Sequence, residues 1–459
     1  MHISYKSENE NMKLSKFLFF IPIGKQHHIV YNTLNMSISI LDNDLIDAIK
    51  RKDFKNIPKS FLERLKKLRI IIEDDEDELA IYRYIFEKAK YSTRNVGFLI
   101  LTTYDCNFSC IYCYEKNVLA NTYMNLETAN RAIEYIKTFT KNRRAESLSI
   151  GFYGGEPLLN MKINLFLLEN VGKWALKNDI NLETILITNG SLMSPNIIEK
   201  MKGYNLKNVQ ITIDGPREVH NMRRPFRDGR GSFDVIISNV LKCVDLVPIT
   251  IRVNIDKGNF KYLPSLLNCL EDIGIKNKIS LWIGIVRGLD HYCEVMQFND
   301  REANVMRLLA WKYALKRGFR FRWHPTSVYP CTLMYDSAEI IDPVGDIYKC
   351  WGLVGQKKFS IGKIGKGYNS NFYKWMTRNP IDNPKCRECN VLPFCNGGCA
   401  YYAYLRTGDA FKTFYCDPVQ GKDALEISLR LYIIDKYREK LKELGLQPEK
   451  LLNFGDEYG

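Results

Sequence analysis

The segment Tyr104-Asp105-Cys106-Asn107-Phe108-Ser109-Cys110-Ile111-Tyr112-Cys113 carries three cysteines spaced C-x3-C-x2-C. Three thiolates on one loop can hold three corners of an iron–sulfur cubane, which ordinarily takes four cysteines. The fourth iron is then open to a small molecule, much as a catalytic zinc site keeps one position free. Zinc is the competing reading, but zinc sites favour C-x2-C pairs with a further Cys or His close by, and neither accompanies this loop. A second group lies in the last third of the chain: Cys331, Cys350, Cys386, Cys389, Cys395, Cys399 and Cys416. By spacing alone that group suits a pair of zinc sites as well as iron–sulfur clusters.

Strand and helix patterns alternate from Gly97 to Val286. Apolar runs predict strands over 98–102, 148–153, 184–188, 209–213, 249–255 and 279–286. Three- and four-residue apolar spacing predicts helices over 126–139, 163–176, 195–201, 233–244, 263–273 and 303–315. This is an α/β pattern, a partial (β/α)6 barrel of the TIM type, in which chemistry sits at the C-terminal ends of the strands. The three-cysteine loop follows the first strand, and Gly154-Gly155-Glu156-Pro157, Thr188-Asn189-Gly190 and Asp214-Gly215 end the next three. Arg252 and Asn254 are two apart on the fifth strand, so they point to the same face.

Together these residues resemble the radical S-adenosylmethionine (SAM) enzymes. The resemblance implies that Cys106, Cys110 and Cys113 hold a [4Fe-4S] cluster, with Tyr112 as the aromatic before the last ligand. It also implies that Gly154, Gly155, Glu156 and Pro157 bind the amino group of SAM, and that Thr188 and Asn189 lie at its ribose. Asp214, Arg252 and Asn254 would add further contacts to SAM. Such a set suits a zwitterion with a sulfonium, which needs a cation at its carboxylate and acceptors at its ammonium. In this family SAM is cleaved reductively to a 5′-deoxyadenosyl radical, which takes hydrogen from the substrate.

The second cysteine group resembles the SPASM extension of peptide-modifying radical SAM enzymes. Its spacing runs Cys331, then Gly345-x4-Cys350, then C-x2-C-x5-C-x3-C from Cys386 to Cys399, then Cys416. The resemblance implies two auxiliary clusters and so three [4Fe-4S] clusters in all. Cys386, Cys389, Cys395 and Cys416 would ligate the outer one, and Cys331, Cys350 and Cys399 the inner one. The inner cluster is then a ligand short: Cys293 reaches it, or its iron is open or filled by substrate or water. Cys243 and Cys269 fall in helical patterns as small core residues.

Ahead of the barrel, strand patterns at 17–23, 29–31, 36–41 and 70–72 and helical ones at 45–50, 57–68 and 78–90 predict a winged-helix-like module. It resembles the leader-recognition domains of peptide maturases, which pair a leader strand with a sheet edge. The expected domains are 1–95 for this module, 96–320 for the barrel, 321–417 for the SPASM region and 418–459 for a C-terminal helix and tail. Met1 to Asn11 reads as a polar leader whose loss would cost no core, with Met12 as an alternative start.

Composition excludes several classes. The 459 residues are 46% hydrophobic and 26% charged, which is ordinary globular usage rather than disordered or fibrous. The formal net charge of +14 is spread through helical patterns without a nucleic-acid fold signature, so nucleic acid is not an expected partner. No run approaches the ~18 apolar residues of a membrane span, and the apolar stretch at 17–23 lacks a cleavage site, so a cytoplasmic protein with no membrane partner is expected. The expected partners are a precursor peptide or protein and an electron donor of flavodoxin or ferredoxin type. The leading expectation is a radical SAM/SPASM peptide maturase forming a thioether, a carbon–carbon crosslink or a related modification. An anaerobic sulfatase maturase is the rival. Such enzymes typically carry Asp where Trp351 stands here, although Asp342 and Asp346 are near enough to serve as a base. A zinc-stabilised, non-catalytic nucleic-acid-binding scaffold is the alternative from another class.

Overall fold

The computed structural model describes residues 11–23, 25–54, 57–289, 291–321, 331–416 and 421–448. It divides into two compact units, one drawing together the chain up to Ala89 and from Asn379 onward, the other built on 90–322 and 331–378.

In the first unit, strands β1 (Met12–Leu14), β2 (Leu18–Ile23), β3 (His27–Asn32) and β4 (Ile38–Asp42) precede helices α1 (Asn43–Lys50) and α2 (Lys59–Lys67). Strand β5 (Ile71–Glu73) and helix α3 (Glu78–Lys90) follow. β2, β3 and β4 form an antiparallel sheet in which Phe20 faces Val30 and Ile29 faces Ile40. The side chain of Asn32 accepts from the amides of Leu34 and Asn35 and so turns the chain from β3 toward β4. Asp42 caps α1 by accepting from Leu45 N at 2.7 Å. The core closes on Met12, Leu18, Val30, Ile46 and Leu62.

The short β1 pairs antiparallel with β5, Met12 opposite Glu73. The adjoining carbonyl of Asn11 accepts from Asp74 N, so the end of the stretch read as dispensable is tied to the fold. Residues 1–10 lie outside the described residues. The C-terminal part of this unit packs onto its N-terminal part. Thr33 Oγ1 donates to Asn390 O, Asn390 Nδ2 donates to Leu18 O, both at 2.7 Å, and Tyr82 OH donates to Asn396 Oδ1 at 3.0 Å. The helix expected over 423–444 spans Lys422–Glu443, with a kink at Tyr437.

In the second unit six strands alternate with helices. They are β6 (Asn95–Leu101), α4 (Leu126–Asn142), β7 (Ser147–Tyr153), α5 (Met161–Lys177), β8 (Asn181–Thr188), α6 (Pro195–Lys202) and β9 (Leu206–Thr212). Then come α7 (Arg217–Arg223), α8 (Phe233–Cys243), β10 (Ile249–Ile255), α9 (Leu263–Asp272), β11 (Ile279–Ile285), α10 (His291–Met296) and α11 (Asp300–Lys316). β6 to β11 pair in sequence order and all in parallel. The mostly apolar β6 and β11 fit strands covered on both faces, whereas β10 carries Thr250, Arg252 and Asn254 on one face.

Among the described residues the sheet does not close. β12 (Arg320–Phe321) extends it beside β11, and β13 (Ala338–Ile341) lies parallel to β6 at the other side. β14 (Asp346–Tyr348), β15 (Gly362–Lys363) and β16 (Gly367–Tyr368) continue antiparallel from β13. The α/β class and the six parallel units match the sequence reading. The α7 helix and the strand β13 had no counterpart in it.

Candidate active site

The three-cysteine loop leaves β6 and is fixed from two directions. On one side it meets the end of β7. Gly155 N donates to Thr103 O at 3.4 Å and Glu156 N to Asp105 O at 2.8 Å. Gly154 adopts φ +123°, a conformation that L side chains rarely take, and a Cβ on it would stand 2.7 Å from Thr103 O. The motif therefore has its glycines where two backbones touch.

Glu156 is fully buried beneath them. Its Oε1 accepts from Leu158 N at 3.0 Å and Thr188 Oγ1 at 2.7 Å, and its Oε2 accepts from Asn189 N at 2.7 Å. Burial raises its pKa, while the donors from Asn189, Thr188 and Leu158 act the other way. The carboxylate thus holds the end of β8 to the end of β7. Asn189 in turn donates to Asn107 Oδ1 at 2.7 Å, and its amide lies 3.9 Å from Cys106 Sγ.

On the other side the loop runs against the segment that follows α7. Arg227 N donates to Asn107 O at 3.0 Å, Ser109 N to Pro225 O at 2.9 Å, and Ile111 N to Arg223 O at 3.1 Å. Phe108 bridges to Phe226, their rings edge to face at 4.9 Å.

Tyr112 is the centre of a buried polar network. Its hydroxyl donates to Asp214 Oδ2 and receives Arg224 Nη1 at 2.7 Å and Asn254 Nδ2 at 3.2 Å. Asn254 N also donates to Asp214 Oδ1 at 2.9 Å, and Arg252 Nε donates to Asn254 Oδ1 at 2.7 Å. Gly284, opposite Asn254 on β11, leaves room for this pair; a Cβ there would meet Asn254 Oδ1 at 2.8 Å.

Burial pushes the thiols of Cys106 and Cys113 up to about 12, and the neighbouring Cys110 raises both further. Such thiols become thiolates readily only when a cation or metal is supplied. Among the described residues no three of His, Cys, Asp and Glu converge tightly enough to hold a single metal ion. A cubane asks for something different, one thiolate at each of three separate irons. Three thiols sharing one loop, a cradle that admits only glycine and buried polar atoms without partners at Arg224 Nε and Glu115 Oε1 fit such a group.

Cys293 is buried against Tyr112 and Val286 rather than free in a loop. Cys331 and Cys350 lie in the same unit as the three-cysteine loop; Cys386, Cys389, Cys395, Cys399 and Cys416 lie in the other.

The sequence reading passed over several residues here. Arg223 and Arg224 were given no role, and both are buried. Arg223 grips Asp256 with both Nη atoms, at 3.0 and 2.9 Å. Glu115, two residues beyond Cys113, is buried and burial pushes it up to about 7. Tyr153 ends β7, bonds the hydroxyl of Tyr114 and packs edge-on against Trp351 at 6.0 Å. The basic pair before Pro225 and the glutamate after the third cysteine were the available signals.

An unclosed parallel βα sheet with three thiols on the loop after its first strand, and a glycine pair wedged beneath them, defines a class. Residues 100–268 match the Radical SAM superfamily, and the chain is a radical SAM enzyme. It is 25% identical over 414 residues to the radical SAM cyclopropyl synthase TigE of Paramaledivibacter caminithermalis, covering 81% of this chain and 82% of that one. It is 22% identical over 346 residues to a cysteine-type anaerobic sulfatase-maturating enzyme of Clostridium novyi, covering 64% of this chain and 85% of the relative. Among solved structures, anSMEcpe with bound AdoMet superposes with a TM-score of 0.59 at 18% identity, covering 74% of this chain and 98% of that one. Streptococcus suis SuiB bound to its precursor peptide SuiA gives 0.52 at 17% identity, covering 88% and 99%. At these identities the structural likenesses speak for the fold. No helix among the described residues is long and apolar enough to cross a membrane.

Proposed function

We propose that this enzyme is a peptide maturase: it binds SAM at the ends of β6 to β10 and modifies a ribosomally made peptide. The observation that carries the reading is the splice between Gly154–Glu156 and Thr103–Asp105, which sets the SAM-type glycine motif directly against the start of the three-cysteine loop.

Cys106, Cys110 and Cys113 would hold a [4Fe-4S] cluster with one open iron. When bound, that group supplies the electron that splits SAM into methionine and a 5′-deoxyadenosyl radical. The chain's own residues orient and shield. Glu156 has its oxygens taken up by Leu158, Thr188 and Asn189, so backbone carbonyls of the motif are the acceptors left for the SAM ammonium. Arg252 is a half-buried cation of the Tyr112 network and suits an anionic group. Tyr112, Asp214 and Asn254 bond mainly to one another and hold the loop in place.

The seven later cysteines would carry two auxiliary [4Fe-4S] clusters, three in all, fed by a flavodoxin- or ferredoxin-type donor. Residues 1–95 would receive the precursor's leader. The likeness to SuiB, solved bound to its precursor peptide SuiA, supports a peptide as substrate. A sulfatase maturase reading is weaker. Trp351 occupies the position of its expected Asp, and both oxygens of Asp342 are engaged, by Tyr104 OH and by the amides of Val344 and Asp346. The scaffold reading fails with the superfamily match.

The test is anaerobic incubation with SAM and dithionite. 5′-Deoxyadenosine should form with the wild type and vanish in a Cys106→Ala/Cys110→Ala/Cys113→Ala variant; equal yields would sink the reading. Co-expression with short open reading frames beside the gene, read by mass spectrometry, should show a mass change on one of them that the triple variant abolishes.

A further inference from the structure

Arg224 lies along the three-cysteine loop. Its guanidinium carbon is 5.8 Å from the centre of the Phe108 ring, and its Nη1 donates to Tyr112 OH at 2.7 Å. Phe108 stands between Cys106 and Cys110, and Tyr112 between Cys110 and Cys113, so one cation spans the whole motif. The residue is buried, and its Nε is a buried donor without a hydrogen-bond partner.

The neighbouring Arg223 shows the contrast. Its charge is cancelled by the bidentate pair with Asp256 and by Asp214 at 3.7 Å. Among the described residues no carboxylate forms an ion pair with Arg224. A buried guanidinium left without an anion is costly, and removing one partner of a buried pair is costlier than removing both. The antiparallel run of 107–111 against 223–227 holds Arg224 at this place regardless. Asp214 acts on it only across the shared Tyr112 hydroxyl and is also paired with Arg223, so much of the negative charge that Arg224 can balance is left for the cofactor to bring.

We propose that Arg224 is a fixed countercharge for the cluster held by Cys106, Cys110 and Cys113, and that it raises the reduction potential of that cluster. This rests on the three-cysteine reading above. On reduction a flavodoxin- or ferredoxin-type donor loses one electron and the cluster gains it. The site becomes one unit more negative with no proton taken up, because the compensating charge is already there. Arg224 acts through electrostatics and through Tyr112 and is a positioning residue, not one that touches substrate.

The experiment is a redox titration followed by electron paramagnetic resonance on the full, reconstituted chain without SAM. The relevant signal is the one that changes when SAM is then added. Arg224→Gln should lower the reduced-to-oxidised ratio about tenfold at a fixed potential, a midpoint shift of about 59 mV for one electron. Arg224→Lys, which keeps the charge, should recover most of it.

An unchanged midpoint in an iron-loaded Gln variant overturns the proposal, and so does a Lys variant that falls as far as Gln. Weaker SAM binding with an unchanged midpoint also overturns it and assigns Arg224 to the SAM carboxylate. If the Gln variant takes up no iron, Tyr112→Phe decides, since it releases the guanidinium from its anchor: a lowered midpoint supports the proposal and an unchanged one ends it. A wild type that binds no iron refutes the cluster reading itself and is told apart by that control.

Discussion

Gly155 passes so close to Asp105 that a Cβ at the glycine would stand 2.1 Å from the Asp105 carbonyl oxygen. That oxygen already accepts from Glu156 N at 2.8 Å, one residue before Cys106. A methyl group there has no flexible side chain to push aside and must move backbone. Gly155→Ala is therefore expected to cost about 1–3 kcal/mol through overpacking and to displace the loop that presents the thiols. Iron per chain after reconstitution and 5′-deoxyadenosine yield should both fall, the latter by about tenfold for each ~1.4 kcal/mol lost at the reacting geometry. Wild-type values for both would show that the two backbones tolerate separation.

Glu156 makes a different prediction, because its neighbours are all donors. Glu156→Gln keeps the shape but points an NH2 group at Leu158 N and Thr188, or at Asn189 N. Leaving one of these buried groups unpaired is expected to cost about 1–3 kcal/mol, read as a lower Tm. SAM affinity, measured by calorimetry, should fall with it, since Asn189 is displaced. Unaltered affinity beside a lowered Tm would confine Glu156 to the stability of the strand ends.

Much of this site was legible in the sequence, and the exceptions share a cause. β6 and β11 are mostly apolar on both faces and β10 alternates apolar with polar residues, patterns that stand out over a short window. The glycines of 154–155 were readable only beside the three-cysteine loop and the other strand-end motifs, because a strand-ending Gly-Gly by itself is equally well a turn. α7 was not readable: seven mostly polar residues leave too little periodicity, and only Val219 and His220 with Arg223 are buried. Arg223 and Arg224 gave no local signal because their partners, Asp256 and Tyr112, are far away in sequence. β1 is three residues long and finds its partner in β5, so it had no local signal. The direction in which Glu156 points depends on β8 lying beside β7, a tertiary fact.

Asp342 should report on pH. Burial pushes its carboxyl from the ordinary 3.8 up to about 6, against the pull of the Tyr104 hydroxyl, the Val344 amide, Lys357 and Lys363. An acid raised in this way is penalised when ionised. The penalty is fully present above about pH 6 and is relieved as the pH falls toward 3.8. Two units correspond to about 3 kcal/mol at most. Asp342→Asn, which can keep the turn bonds, should then raise Tm relative to wild type at pH 8, with about half of the gain gone at pH 5. Melting curves of both proteins at the two pH values decide it. A gain that is absent at pH 8, or equal at both, would mean that the charge is not the destabilising element.

In the other unit, Tyr82 on α3 packs its ring between Phe17 and Phe86, with centroids at 6.1 and 5.7 Å, and donates to Asn396 Oδ1 at 3.0 Å. Asn396 follows Cys395 and adopts a left-handed φ of 49°, which Asn tolerates better than most residues. Burial raises the Tyr82 hydroxyl well above its ordinary pKa, so it stays a donor over the working range. Tyr82→Phe keeps the ring and removes this bond, at a cost of about 1 kcal/mol. Asn396→Gly removes the acceptor while easing the backbone, so it should cost less. Urea unfolding of both single variants and the double variant closes the cycle. A coupling of about 1 kcal/mol would show that the helix before the barrel holds the turn after Cys395 directly. Strict additivity would mean that the turn stands without it, and iron loading of the later cysteines should then be indifferent to Tyr82.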